Sequence, residues 1–190
     1  MTARWVVDEV RPHRDIAVEW QPISLFLKNE PDPEHDGYAR LYFAHGLLRV
    51  LEAAREKEGV EAFERLYWEY GRRIHHDRDV PFEVSDALRA VDLDPDLAGA
   101  FDDGDRWDDE IRGRMAVGID VAGDDIGTPI IAMDDCDGEL QGYFGPVITR
   151  VPPTDQSLEM WDALRSMMDV AGFWELKRTR TAGPSFGDRP

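Results

Sequence analysis

Cysteine is almost missing from this sequence. Of its 190 residues only Cys136 is one, so no internal disulfide can form and a cytoplasmic setting is expected. Basic residues are scarce as well: 22 Lys and Arg face 40 Asp and Glu, a formal charge of −18. Such a charge repels nucleic-acid phosphates and anionic membrane surfaces, which leaves a small-molecule or protein partner as the expectation and excludes nucleic acid and membrane. No apolar run approaches the ~20 residues of a membrane span, and the start lacks the basic-then-apolar order of a secretory signal. His-Glu-x-x-His, Cys-x-x-Cys, Walker-type loops and Gly-x-Ser-x-Gly are all absent, so zinc-protease, P-loop and serine-hydrolase readings have no support. The 42% of hydrophobic residues can bury roughly 70% of the unfolded surface, enough for one domain or one domain with a sizeable insertion.

Periodicity orders the chain. Thr2 is placed to cap a helix carrying Trp5, Val6 and Val10, which Pro12 must stop. In "DIAVEW" Ile16, Val18 and Trp20 alternate with Ala17 and Glu19, the period of a strand ending at Pro22, and a Pro/Asp-rich loop, "KNEPDPEHDG", follows. From Tyr38 to about Asp120 apolar residues recur at helical spacing. Leu41, Leu48 and Leu51 mark one helix, Phe63, Leu66, Tyr67, Tyr70 and Ile74 the next, and Val84, Leu88 and Val91 a third. A short segment around Leu97 and Phe101 leads to Trp107, Ile111, Met115 and Ile119, which repeat every four residues. "PIIAMDD" and "LQGYFGPVI" are β-prone runs joined by "CDGE", whose Asp-Gly signals a hairpin. A last helix follows with Leu158, Trp161, Leu164 and Met168 inward, then a polar tail, "ELKRTRTAGPSFGDRP".

Most motif-like fragments fail on spacing. "HRD" at His13 to Asp15 matches a kinase catalytic loop in three letters, but Trp20 stands where that loop needs Asn. "DDGDRWDDE" has the charge of a calcium loop without its ligand spacing. His75 and His76, adjacent on a helix, point about 100° apart and cannot share a metal. Thr128-Pro129 is the exception: a Pro that opens an apolar strand is tolerated because it need not donate to the ladder, and a cis bond there would turn backbone groups outward toward an extended ligand.

Six segments, "TARWVVDEV", "RDIAVEWQPISLFLKNE", "RRIHH", "GDDIGTPII", "YFGPVITRVP" and "FWELKRTRT", resemble the DsbA-like thioredoxin family, and most closely its actinobacterial branch of mycothiol-dependent nitroreductases. The resemblance covers nearly the whole chain. It implies an α/β fold, a thioredoxin-like domain of residues 1–37 and 121–190 interrupted by an all-helical insertion of residues 38–120. It also implies an oxidoreductase acting on disulfides or nitro compounds, with mycothiol or a similar low-molecular-weight thiol as reductant and no bound cofactor. Gly127, Thr128 and Pro129 then form the substrate loop. Asn29, His75 and Tyr38 match family positions near the cleft.

In that family a first strand and a Cys-Pro-x-Cys motif precede the opening helix, whose dipole lowers the pKa of the leading cysteine. Neither is in this sequence, so the expectation is a shortened chain with Met1 an internal methionine, inactive as it stands. Cys136 cannot substitute, because seven residues of extended chain place it on the order of 20 Å from Pro129. The missing strand would leave two apolar strand edges unpaired, which disfavours a stable monomer and leaves pairing with a second copy open. A redox-inactive thioredoxin-like module that binds an extended peptide through the Pro129 loop is the alternative. A relative of kappa-type glutathione transferases, with Ser for the leading Cys, is a third reading.

Overall fold

The computed structural model describes residues 1–188; the last two residues of the expected tail, Arg189 and Pro190, lie outside them. The protein is a helix-rich α/β molecule with a small two-stranded sheet. Helix α1 runs Thr2–Arg4 and continues as π-helix over Trp5–Val10, with α2 at Leu25–Asn29, α3 at Tyr38–Glu58 and α4 at Val60–Arg72 prolonged as π-helix over Arg73–Asp77. After α5, Val84–Ala90, a 3-10 segment at Pro95–Asp102 leads into α6, Gly104–Ala122. Strands β1, Ile130–Asp134, and β2, Leu140–Phe144, precede α7, Thr154–Met168.

The chain forms two compact units, Met1–Gln21 with Val117–Gly187, and Pro22–Ala116. In the first, the sheet unit, β1 and β2 pair antiparallel with Ile130 opposite Phe144 and Asp134 opposite Leu140. Trp5, Val10, Trp161, Leu164 and Met168 form a buried cluster, and Ile131, Met133 and Tyr143 lay one face of the hairpin on it. The two indoles meet at 5.9 Å with planes tilted by 59°, an arrangement that satisfies the quadrupoles of both rings. Trp5 also donates its indole N–H to the Ser157 carbonyl at 3.2 Å, so the polar end of the buried ring is not left unpaired. The other face of the hairpin meets the end of α6, where the Ile130 side chain lies against Gly118. A Cβ at Gly142 would come within 2.6 Å of the Val121 side chain.

The second, helical unit packs α3 and α4 through Val50, Leu51, Ala54, Phe63 and Leu66, with Leu88 of α5 and Ile111 of α6 completing the core. Gly46 of α3 is there because the Phe101 ring occupies the place of a side chain.

The helices sit where the periodicity puts them, and the hairpin turns at Cys136 and Asp137 as the Asp-Gly signal predicts. Asp135 organises that turn, its carboxylate accepting from the backbone N–H groups of Asp137 at 2.9 Å and Glu139 at 3.0 Å.

Three expectations fail. Ile16 to Trp20 is not a strand. Its burial alternates as predicted, with Ile16, Val18 and Trp20 half-buried and Ala17 and Glu19 exposed, but no neighbouring strand among the described residues offers it a ladder. Burial alone sets the alternation, whereas a strand needs hydrogen-bond partners. Thr2 does not cap α1. It is the first helical residue, and its hydroxyl donates to the Pro146 carbonyl at 2.7 Å instead. In α7 the buried position expected of Leu158 falls to Ser157, whose hydroxyl donates to the Pro152 carbonyl at 2.9 Å while Leu158 is half-buried. Helix α2 lies in a stretch to which no periodicity assigned an element; its start is set by Ser24, whose hydroxyl accepts the Leu27 N–H at 3.1 Å.

Gly142→Ala should lower the unfolding free energy by about 1–3 kcal/mol through overpacking against α6. Adding Val121→Ala should recover part of that loss in urea titrations, which a purely local strand effect would not allow.

Candidate functional site

The residues singled out from sequence fall in both units. Gly127, Thr128 and Pro129 lie in the sheet unit, Asn29, Tyr38 and His75 in the helical unit. The Thr128–Pro129 peptide is cis, as is Gly145–Pro146 on the neighbouring strand end. These two segments are tied together: Pro129 accepts the Gly145 N–H at 2.8 Å, one step beyond the last strand pair. Pro146 in turn accepts the Thr2 hydroxyl at 2.7 Å. The opening of α1, the Pro146 turn and the Pro129 loop are thereby fixed to one another, while Thr128 itself is exposed. An exposed residue at the mouth of β1, with the loop held from both sides, can present its backbone to an extended or small ligand.

The chain end returns to the same helix. Arg4 donates to the Phe186 carbonyl at 2.9 Å, and Ser185 N–H to the Thr149 carbonyl at 2.6 Å. Between these anchors and Phe173, which packs on Tyr143 with ring centroids 5.6 Å apart, the segment carries Trp174 at 86% and Leu176 at 83% exposure.

In the helical unit Asn29 is the last, exposed residue of α2. Tyr38 opens α3, its ring edge-on to Phe26 at 5.4 Å and stacked on Tyr42 at 6.4 Å. Asn29 and Tyr38 thus flank one loop. His75 sits on the π-helical end of α4; its imidazole is shielded enough for its pKa to fall below the ordinary 6.5, with the neighbouring His76 pressing the same way. Its tendency at neutral pH is therefore to be an uncharged donor or acceptor.

Cys136 lies at the opposite end of β1 from Pro129, in the exposed hairpin turn, its N–H donated to Asp169 at 2.8 Å. Asp137, Asp169 and Asp135 surround the thiol and push its pKa above the ordinary value. That is the reverse of what a redox cysteine needs, since the thiolate is the nucleophile.

Sequence reading missed a polar constellation buried in the helical unit. The Ser24 hydroxyl meets His45 Nδ1 at 2.9 Å, and His45 Nε2 meets Asp108 Oδ1 at 3.0 Å. Arg49 grips the same carboxylate from Nε at 2.7 Å and Nη2 at 3.0 Å, and donates a third bond to the Phe101 carbonyl at 2.8 Å. A Cβ at Gly104 would come within 2.9 Å of the Arg49 guanidinium, so the first residue of α6 leaves room for it. The residue types are those of a hydrolase triad, yet Ser24 and His45 are each 1% exposed and the hydroxyl is spent on capping α2. This is a structural clamp. No signal in the sequence marked it, because its members are spread from residue 24 to residue 108 and match no local motif.

Burial, and next to it the Arg49 charge, lowers the His45 pKa below 6.5, overriding the pull of Asp108; Arg112 adds to the lowering. Burial pushes the Asp108 carboxyl up, but the Arg49 and His45 contacts outweigh it and hold the pKa below the ordinary 3.8. Among the described residues no group of three or more His, Cys, Asp and Glu is placed to hold a metal ion, and no helix is long and apolar enough to cross a membrane.

Two measurements follow from these environments. The unfolded chain takes up a proton at His45 near pH 6.5 that the folded one refuses, so stability falls as pH drops through that value, by at most about 1.4 kcal/mol per pH unit for this one group. In His45→Gln the stability, lower at every pH, should vary less between pH 7 and 5.5 in urea titrations. At pH 7 Cys136 should react with iodoacetamide more slowly than free cysteine; faster reaction would contradict the acidic surroundings.

The family model described as mycothiol-dependent nitroreductase Rv2466c matches residues 1–178. That span reaches into both units and includes the Pro129 loop and Trp174, and the chain belongs to the Rv2466c-like family of mycothiol-dependent nitroreductases.

Proposed function

We propose that this chain is the scaffold and substrate-binding part of a thiol-dependent reductase of nitro compounds or disulfides with a thioredoxin-like, DsbA-type fold, working in the cytoplasm with mycothiol as reductant. The observation that carries the reading is the Thr128–Pro129 loop, anchored through Gly145 and Pro146 to Thr2 at the opening of α1. Two thiols, here mycothiol and a second thiol of the redox pair or of another mycothiol, release two electrons and two protons as their sulfurs join in a disulfide, and the substrate takes them up. In this reading Gly127, Thr128 and Pro129 present backbone groups to the substrate; Asn29, Tyr38 and His75 of the helical unit are candidate substrate contacts through the family resemblance alone. Residues 38–120 are the helical insertion into a domain of residues 1–37 and 121–190.

The redox pair of this reading, Cys-Pro-x-Cys, is not among the 190 residues, whose one cysteine is electrostatically unsuited to the task. The reading therefore assigns the pair to sequence outside them, together with a strand lying between residues 16–20 and β1. Support for that strand comes from the core: Ile16 and Ile131 both pack on the Trp5 cluster. Neither the segment of Ile16 nor the second edge of β1 has a ladder partner among the described residues. Pairing of these edges between two copies, a homodimer, is the other way to satisfy them.

The alternative is a redox-inactive module that binds an extended peptide at the same loop, favoured only by the absence of the cysteine pair. The experiment compares the 190-residue chain with one carrying a strand and Cys-Pro-x-Cys ahead of Met1. Mycothiol-dependent consumption of a nitroaromatic compound is expected from the longer chain, none from the shorter, and no effect of Cys136→Ser on either. Equal turnover by both chains, or none by the longer one when it folds, overturns the catalytic reading and leaves binding.

A further inference from the structure

One large apolar side chain beside the Pro129 loop is left open to water. On the hairpin face that meets α6, Ile130 lies against Gly118 and Gly142 leaves room for Val121. Phe144 stands opposite Ile130 in the ladder and so projects from that same face, yet it is 46% exposed. Its ring reaches the loop, for a Cβ on Gly127 would stand 3.6 Å from Phe144 Cε2. Tyr143, its neighbour in the strand, turns to the other face and meets the Phe173 ring at 5.6 Å. Phe144 has no aromatic partner among the described residues. Three residues on, past the Pro146 turn, Val147 is also 46% exposed.

Apolar side chains exposed singly need no explanation, but these two belong to one uncharged rim. Residues 126–133 and 140–149 carry no Asp, Glu, Lys or Arg, in a chain of which 33% is charged. Neither run therefore offers an ionic partner to a ligand, and the charge of −18 works against the approach of an anion. What the rim does offer is backbone at Gly127 and Thr128 for polar contacts and the Phe144 ring for an apolar one. An aromatic ring laid on Phe144 gains from the quadrupoles of the pair as well as from the area buried, whereas a saturated ring gains from area alone.

We propose that Phe144 is a specificity-determining residue of the Pro129 site, stacking against an uncharged aromatic ring of the ligand while a polar substituent reaches the backbone of Gly127 and Thr128. Val147 borders the same ring. The inference rests on the reading of that loop as the substrate site, and it adds a selection for flat, neutral rings over aliphatic or anionic ligands. Gly127 has a part in the selection, since a side chain there would meet the edge of the Phe144 ring and cover it.

The test is an amide NMR titration of the 190-residue protein with 4-nitrobenzyl alcohol, nitrocyclohexane and sodium 4-nitrobenzoate at matched ionic strength. Saturable shifts of the Gly127, Thr128 and Gly145 amides are expected with 4-nitrobenzyl alcohol, and binding about fivefold weaker with the other two. Phe144→Ala should weaken the aromatic alcohol about fivefold and bring it level with nitrocyclohexane. Phe144→Tyr keeps the ring and should bind as the unaltered protein does. Equal binding of the aromatic alcohol and nitrocyclohexane, shifts confined to other parts of the protein, no saturable binding at all, or undiminished binding by folded Phe144→Ala overturns the proposal. The comparison of compounds on the unaltered protein decides the matter even if the variants do not fold. Turnover enters none of these readouts, so the two readings fail separately. Aromatic binding at Phe144 beside an inactive longer chain overturns only the catalytic reading, and turnover by the longer chain without that binding overturns only the role of Phe144.

Discussion

The contact between Trp5 and Trp161 governs the sheet unit. It joins the first helix to the last across more than 150 residues of chain, and the Trp5 N–H on the Ser157 carbonyl fixes the rotation of α1 about its own axis. Burial of two indoles, Trp5 completely and Trp161 to within 9%, is among the largest apolar contributions a single contact can make. Once α1 is held there, the hairpin has a floor for Ile131, Met133 and Tyr143, and Thr2 is brought to the Pro146 carbonyl. The Pro129 loop is therefore positioned by hydrophobic burial at one remove, through two hydrogen bonds that would have no reason to align without the tryptophan pair.

The helical unit is organised on a different principle. Its apolar stripes bring α3, α4 and α6 together, but stripes allow helices to slide. The bidentate grip of Arg49 on Asp108, with His45 and Ser24 behind it, sets one register between α2, α3 and α6. Breaking such a group exposes a buried charge without a partner, which is why networks of this kind discriminate against near-native packings. Glu52, one turn further along α3, shows the opposite case: a buried carboxylate satisfied on one oxygen only.

Legibility in the sequence followed from how local each determinant is. The repeat of Trp107, Ile111 and Met115 at four-residue spacing gave α6 its buried side, and all three are buried. Asp137-Gly138 placed the hairpin turn, because a positive φ at Gly138 is a local need. The strand expected at Ile16 to Trp20 illustrates the limit. Alternation records which side chains face the core, and that part held in the half-burial of Ile16, Val18 and Trp20. Whether backbone groups find a ladder depends on a neighbour elsewhere in the chain, and no pattern within five residues reports one. Of the site, Pro129 could be read because Thr-Pro before an apolar run is itself a local signal. Its anchoring by Gly145 and Thr2 could not be, and neither could the clamp of Ser24, His45, Arg49 and Asp108.

By itself the sequence determined the helices, the hairpin and its turn, the strong negative charge and the shortage of thiols, all of which depend on residues close in the chain or on composition alone. Through its likeness to a family it also determined the class of chemistry. Only the tertiary structure decided which polar side chains are shut away from water, that Thr2 holds a loop rather than capping a helix, and that acidic neighbours disarm Cys136. Those outcomes depend on groups far apart in sequence meeting at hydrogen-bond distance, and such meetings are settled by packing.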